Sequence, residues 1–70
     1  MEKWSIKVLS TGKTQYGQWV LCYLSNDVVL YYGICQLDKE YDLQKDKVYP
    51  VKTIDIKQNK QNKLIIKLGL

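Results

Sequence analysis

The run Trp19–Leu24, WVLCYL, carries no charged side chain at any of its positions. Successive side chains of a β-strand point to opposite faces, so a strand built from this run is apolar on both faces. A strand on a solvated sheet surface alternates apolar and polar residues instead. One face of this strand therefore belongs to the core, and the other face must have a separate role.

The composition predicts an all-β protein. The chain has 70 residues, and Val, Ile, Thr, Tyr and Trp are abundant while Ala is absent. Ala is the best helix former, whereas β-branched and aromatic residues suit a pleated surface. A chain of this length buries only about 60% of the surface that its unfolded form exposes, which leaves little room for a deep enclosed site. We expect a single domain over residues 1–70.

Five strands are predicted from the hydrophobic pattern. They are Trp4–Leu9, Trp19–Leu24, Val28–Tyr32, Val48–Lys57 and Leu64–Leu68. The stretch Ser10–Thr14 predicts a bulge or bend, because Gly12 lies inside a strand-like pattern. In the fifth strand, the apolar alternation predicts that Leu64, Ile66 and Leu68 face the core. Between the third and fourth strands, the acidic segment Leu37–Lys47 predicts a short helix of one or two turns or an irregular insert.

The order of these elements favours one kind of small barrel. Three strands, an insert and two further strands is the order of the oligonucleotide/oligosaccharide-binding (OB) barrel. An SH3-like barrel also has five strands, but its short 3₁₀ turn falls between the fourth and fifth. We therefore expect a five-stranded, OB-like barrel, with the SH3-like barrel as the alternative.

The charge and the cysteines limit the possible functions. The formal net charge is +4 and every basic residue is Lys. Such a surface favours polyanions, although Lys residues that serve only solubility give the same total. The chain has no His, and Cys22 and Cys35 show no metal-ligand spacing, so we expect no metal and no cofactor. We also expect reduced thiols in a cytoplasmic protein without a signal peptide or membrane span.

The OB expectation gives the apolar hairpin a use. Ligands of OB barrels lie across the second and third strands, flanked by the loop between the first two strands and the loop between the last two. Single-stranded nucleic acids stack bases on aromatic rings there, and Lys side chains contact phosphates. The candidate nucleic-acid-binding residues are Lys13, Tyr16, Trp19, Tyr23, Tyr31, Lys57, Lys60 and Lys63.

The same residues also suit roles other than ligand binding. Trp19 is compatible with a core position, and Tyr23 and Tyr31 are compatible with a strand that leaves their hydroxyls in water. An exposed apolar face also suits a dimer interface. A bulge near Gly12 or Gly17 would exchange the two faces of the second strand.

The stretch TQYGQWVLCYLSNDVVLYYG resembles the small OB-type single-stranded-DNA-binding proteins of phages and mobile elements. In these proteins a loop resembling T-K-Y-G precedes a strand resembling Y-V-L-x-L, and a strand resembling V-V-x-Y follows. VYPVKTIDIKQNKQNKLIIKL resembles their closing hairpin, so the resemblance spans about residues 4–68. It implies that Lys13, Tyr16 and Trp19 face the ligand. Gln15 departs from the pattern, because a Lys is expected there.

The sequence thus predicts a non-enzymatic module that binds single-stranded DNA with low sequence specificity, with RNA left open. The alternative is a small protein-interaction barrel. It would form a homodimer through the apolar hairpin or dock to a replication, defence or regulatory partner, as a phage-encoded inhibitor does. An enzyme is disfavoured, since the clustered acids Asp38, Glu40, Asp42 and Asp46 lie in a segment that the pattern assigns to solvent.

Overall fold

A computed structural model describes residues 3–70. Met1 and Glu2, the start of the predicted 1–70 domain, lie outside the described residues. Among the described residues there is no helix, and the strands are β1 Trp4–Thr14, β2 Gly17–Ser25, β3 Leu30–Leu37, β4 Val48–Val51, β5 Thr53–Gln58 and β6 Leu64–Gly69. The predicted all-β class is confirmed, and the insert between the third and fourth strands is irregular rather than helical.

The six strands form one curled sheet in the order β4-β1-β2-β3-β6-β5. All neighbouring pairs are antiparallel except β3 and β6, which run parallel. The two outermost strands, β4 and β5, are separated in the chain by Lys52 alone. The backbone N–H of Lys52 donates to the carbonyl of Gly69 in β6, at 2.7 Å. The chain therefore passes from one end of the strand order to the other within one residue, which gives the sheet its barrel-like curl.

The number of strands differs from the prediction for a physical reason. The predicted fourth strand, Val48–Lys57, is one extended stretch that changes its partner at Lys52. Before Lys52 it pairs with β1, where Val51 lies opposite Trp4. After Lys52 it pairs with β6, where Thr53 lies opposite Gly69. The prediction of five strands is therefore wrong in count.

Two strand boundaries also differ from the prediction. The predicted third strand Val28–Tyr32 starts too early, because Asn26 Oδ1 accepts the backbone N–H groups of Val28 and Val29 at 2.8 and 2.7 Å. This side-chain turn occupies the residues before β3, which then continues through Gly33 to Leu37. The first strand continues to Thr14, and its register shifts between Val8 and Ser10, at the start of the stretch in which a bulge or bend is predicted.

The core lies on the inner face of the curled sheet. Its buried apolar residues are Ile6, Val8, Val20, Cys22, Leu24, Cys35, Leu37, Ile66 and Leu68. Trp4 packs against them, together with partly buried side chains such as Tyr31, Tyr41 and Ile54. The inward positions predicted for Ile66 and Leu68 are correct, but Leu64 is exposed and that part of the prediction is wrong.

The two cysteines lie inside this core as free thiols. Cys22 and Cys35 lie on the adjacent strands β2 and β3, and their side chains share a hydrogen bond. That hydrogen bond and burial raise the pKa of the Cys35 thiol. The Cys35 side chain is therefore a neutral core residue rather than a reactive thiolate.

The irregular insert is fastened to the end of the β1–β2 hairpin by Gln18. This buried amide accepts the N–H of Tyr41 at 2.7 Å and donates to the carbonyl of Tyr41 at 3.0 Å. It also donates to the hydroxyl of Thr11 at 3.0 Å. The Tyr41 hydroxyl in turn donates to Asp38 and accepts the backbone N–H of Leu70. These bonds cover one end of the barrel with the insert.

Candidate nucleic-acid interface

The second apolar face of β2 continues onto β3. Residues that lie opposite one another in a ladder share a face of the sheet. In the β2–β3 ladder Trp19 lies opposite Gln36, Leu21 opposite Ile34, and Tyr23 opposite Tyr32. The side chains that point away from the core are Trp19, Leu21, Tyr23, Leu30, Tyr32, Ile34 and Gln36. We call this surface the outer face.

Two aromatic rings lie side by side at the centre of the outer face. The centroids of Tyr23 and Tyr32 are 5.3 Å apart and their planes are inclined by 42°. This geometry lies within the range of favourable aromatic pairs. Their residues are 40% and 58% exposed, so much of both side chains stays open to solvent. On β1, Lys7 lies opposite Tyr23 and is exposed. A cation and two rings thus form one row across three strands.

Trp19 occupies a different setting on the same face. It lies opposite Gly12 of β1, and a Cβ atom placed on Gly12 would be only 2.6 Å from Cζ2 of the indole. The ring therefore rests on the bare backbone of the neighbouring strand, which requires Gly at that position. Trp19 is partly buried by this contact rather than by the core. The sequence is compatible with Trp19 in the core or on the ligand-binding surface. In the structure its side chain lies on the outer face and not in the core.

Lys13 lies on the opposite side of the β1–β2 hairpin. It lies opposite Gln18, whose side chain points inward, and its Nζ forms an ion pair of 3.1 Å with Glu40. Together with residues of the insert it lines an open cavity of about 460 Å³ at the end of the hairpin. The ammonium group predicted to meet phosphate is thus held by a carboxylate, away from the outer face.

Tyr16 and Tyr31 also lie apart from the aromatic row. Tyr16 is exposed in the two-residue turn between β1 and β2, where its N–H donates to the hydroxyl of Thr14 at 3.1 Å. Tyr31 lies opposite Leu24 and therefore points to the inner face, where it packs against the core. Its ring covers Gly33, at which an added Cβ would lie 2.5 Å from the Tyr31 hydroxyl oxygen. The structure does not bring Tyr31 together with Trp19 and Tyr23.

The three lysines of the last hairpin lie at the other end of the sheet. Because β6 runs parallel to β3, the turn before β6 and the turn before β3 are at the same end. Lys60 and Lys63 lie in that turn, which is folded around Asn59. Lys57 lies on β5 and forms a 3.6 Å ion pair with Asp55. These lysines therefore flank the Leu30 end of the outer face, whereas Lys13 and Tyr16 lie at the Trp19 end.

The sequence prediction missed Tyr32, a ring of the outer face, and two lysines on the strands that border this face. Lys7 lies opposite Tyr23, and Lys67 lies opposite Gln36 of β3 and Asp55 of β5. The polar residue Gln36 indicates where Tyr32 points. Residues four positions apart on one strand share a face, and a polar residue marks the face that is open to solvent. That signal is lost when the third strand is ended at Tyr32.

Comparisons with known proteins add no relative. No protein-family model matches the sequence, and comparisons with curated proteins and with solved structures gave no significant match. In residues 3–70 there is no helix of the length and hydropathy needed to cross a membrane. The same residues contain no group of three or more His, Cys, Asp or Glu side chains placed to hold a metal ion.

Proposed function

We propose that the protein binds single-stranded nucleic acid across the outer face with little sequence preference. The observation that carries the proposal is the exposed ring pair Tyr23–Tyr32 with Lys7 in the same row. Aromatic rings accept any base by stacking, and an adjacent ammonium group meets the phosphate between bases. Burial of these rings in the core would stabilise a small domain, so their exposure supports a role in ligand binding.

The connectivity supports an OB-like barrel as the scaffold. When β4 and β5 are counted as one strand bent at Lys52, the chain has five strands with an insert after the third. This is the strand count and insert position of the OB barrel, whose ligands lie across the second and third strands. In this protein those strands are β2 and β3, which carry the outer face.

The charge distribution supports a polyanionic ligand. Lys7 and Lys67 border the outer face, and Lys60 and Lys63 lie at its Leu30 end. Among the described residues, none of these four ammonium groups has a carboxylate within 4.0 Å. Binding of phosphate at these lysines would release counterions without first breaking an ion pair. Lys13 and Lys57 would have to leave Glu40 and Asp55 first.

Fluorescence titration with oligo-dT tests the proposal. The variant Trp4→Phe leaves Trp19 as the only indole and therefore as a reporter on the outer face. In this background we expect quenching on binding and an affinity that falls with added salt. Tyr32→Ala should weaken binding by about 5- to 150-fold, since one stacked base is worth about 1–3 kcal/mol. Tyr31→Phe, on the inner face, is the matched control and should bind as the parent does.

Salt dependence separates phosphate contacts from general charge. Lys7→Gln should lower the slope of log affinity against log salt by about 0.7, which is one phosphate contact on a single strand. Lys39→Gln removes the same charge at the insert, where the ammonium lies over the Tyr41 ring at 5.6 Å, and should leave the slope unchanged. Equal effects of the two variants, or binding that ignores salt, would contradict the proposal.

A second candidate function is self-association through the outer face. Leu30 and Ile34 are 69% and 60% exposed there, and aliphatic side chains favour a protein interface over base stacking. Light scattering at increasing protein concentration discriminates the two functions. A stable dimer that does not respond to oligo-dT, and that Ile34→Asp converts to a monomer, would favour this candidate.

A further inference from the structure

The two parallel strands of the sheet are laddered only near their C-terminal ends. Within the described residues, the ladder between β3 and β6 consists of Gln36 opposite Lys67 and Leu37 opposite Leu68. Both strands begin several residues earlier, at Leu30 and Leu64. By the same register, residues 33–35 of β3 lie opposite residues 64–66 of β6 without being laddered, and residues 30–32 lie opposite the turn before β6. We call this unladdered stretch the seam.

An edge of this kind can accept another strand. A strand without a neighbour presents backbone N–H and C=O groups that remain available to another extended chain. Small β proteins usually protect such edges with charges, bulges or Pro within the strand. Residues 30–35, LYYGIC, contain neither a charge nor a Pro. The β3 side of the seam is thus open to strand addition.

The side chains beside the seam are aliphatic and exposed. Leu30 and Ile34 border it on β3, and Leu64 and Ile65 border it on β6. Leu64 is 61% exposed although it continues the alternation of the buried residues Ile66 and Leu68. These four branched side chains do not offer the flat ring surface on which bases stack. Leu30, Ile34 and Ile65 point to the outer face, whereas Leu64 continues the inner face. Alternate apolar side chains of an added strand that extend the inner face would cover Leu64.

The charges around the seam are positive. Lys63 precedes β6 directly, Lys60 lies in the same turn, and Lys67 lies where the ladder begins. In the described part of the chain none of these three pairs with a carboxylate. A protein segment that binds here gains from carboxylates next to its apolar residues.

From these observations we propose that the seam binds an extended segment of a partner protein in which apolar and acidic residues alternate. The backbone of the segment pairs with the free edge of β3. Its apolar side chains lie on the inner face and cover Leu64, and its carboxylates lie on the outer face and meet Lys63 and Lys67. This site adjoins the outer face, with which it shares Ile34 and Lys67, but the proposal does not depend on nucleic-acid binding.

Three synthetic peptides test the proposal directly. The first is a capped peptide of about ten residues, a full strand length, in which Val and Glu alternate. The second carries Pro at two central Val positions and cannot pair its backbone there. The third carries Lys in place of every Glu. We expect the first peptide to bind at least tenfold more tightly than either control, and to slow amide hydrogen exchange within residues 30–35.

A pair of strand variants maps the site. Leu64→Asp places a carboxylate in the seam and should abolish binding of the Val–Glu peptide. Val48→Asp changes a side chain of equal exposure on β4, 62% against 61%, and should bind the peptide normally. Thermal melts of both variants report whether they fold, and an oligo-dT titration of both measures the outer face independently.

Two results would overturn the proposal. Equal affinity for the three peptides would show that binding requires neither backbone pairing nor negative charge. Slow hydrogen exchange in the free protein at those N–H groups of residues 30–35 that point away from β2 would show that the edge is already occupied. If that protection increased with protein concentration, the occupant would be a second copy of the chain. In Leu64→Asp, loss of peptide binding together with normal oligo-dT binding is the expected result. Normal peptide binding by this variant would contradict the proposal.

Discussion

The contact between Trp19 and Gly12 predicts whether Gly12→Ala raises or lowers the free energy of unfolding. Gly in a strand costs about 0.5–1 kcal/mol relative to Ala, because the unfolded chain loses more freedom. Gly12 has an ordinary strand φ, so Gly12→Ala would by itself stabilise the fold. The indole opposes this gain, since the added Cβ would lie 2.6 Å from Cζ2. Carbon atoms need about 3.5 Å, so the ring must move by about 1 Å.

The magnitude follows from these two opposing effects. Forcing an extra methyl group into an occupied site costs about 1–3 kcal/mol. After subtraction of the backbone gain, we expect Gly12→Ala to lower the free energy of unfolding by about 0.5–2 kcal/mol. In a Trp19→Ala background the obstacle is gone, and the same substitution should raise the free energy of unfolding by about 0.5–1 kcal/mol. The change of sign is the signature of the contact.

Equilibrium unfolding in urea, followed by far-UV circular dichroism, measures all four proteins of this cycle. Gly17→Ala is the control: Gly17 has a φ of 117° and no side chain would crowd an added Cβ. Its cost is backbone strain, so it should be the same with and without Trp19. If Gly12→Ala stabilised the protein in both backgrounds, the indole would not rest on Gly12, and our placement of Trp19 would be refuted.

Three further predictions concern the insert and the core. Gln18→Leu should destabilise the fold by about 2–4 kcal/mol in urea unfolding, because both backbone polar groups of Tyr41 lose their partner; no significant loss would contradict the anchoring role. The hydrogen bond to Asp38 raises the pKa of Tyr41, so its contribution to stability is complete below about pH 10 and is lost as the pH rises through the higher folded value. Urea unfolding at several alkaline pH values should therefore show a loss in the parent that Tyr41→Phe lacks. Cys22 and Cys35, buried as free thiols, should react with a thiol reagent in urea but not in buffer; rapid labelling in buffer would contradict their burial.

Much of the fold is accessible from local sequence. The alternation of Trp4, Ile6 and Val8 places the inner face of β1 correctly. The two-residue turn after Thr14 fixes the register of β1 against β2, which sends Val20 and its even-numbered neighbours into the core. Short-range pattern and turn length suffice for these assignments, because register in a hairpin is set by its turn.

The assignments that failed depend on contacts between distant parts of the chain. Nothing in the sequence around Lys52 indicates that the strand exchanges β1 for β6, since the backbone stays extended on both sides. The neighbouring residues Tyr31 and Tyr32 suit either face equally. Their assignment depends on how far β3 continues, and only the buried Leu37 and the exposed Gln36 determine it.

In the candidate site too, local sequence predicts some positions, and others depend on contacts between distant parts of the chain. Aromatic residues on β2 were predicted correctly to lie on one surface, because they share a parity within one strand. Lys13 was not, since proximity in sequence to a loop does not determine which side of a hairpin a side chain occupies. Lys13 follows Gly12 by one residue and for that reason points to the opposite face, where Glu40 of the insert reaches it.

The distribution of apolar residues supports the two proposed binding surfaces. A domain of this size has a small core, and each large apolar side chain that it buried would add about 1.5–3 kcal/mol. Yet Tyr32, Ile34 and Leu64 remain open to solvent on well-formed strands. Tyr32 lies in a row of rings beside Lys7, whereas Ile34 and Leu64 border an unladdered backbone edge. Rings beside a cation match bases and phosphates, and branched side chains beside free N–H and C=O groups match another strand. The chemistry of these side chains therefore supports both proposals, nucleic acid on the rings and a protein strand at the seam.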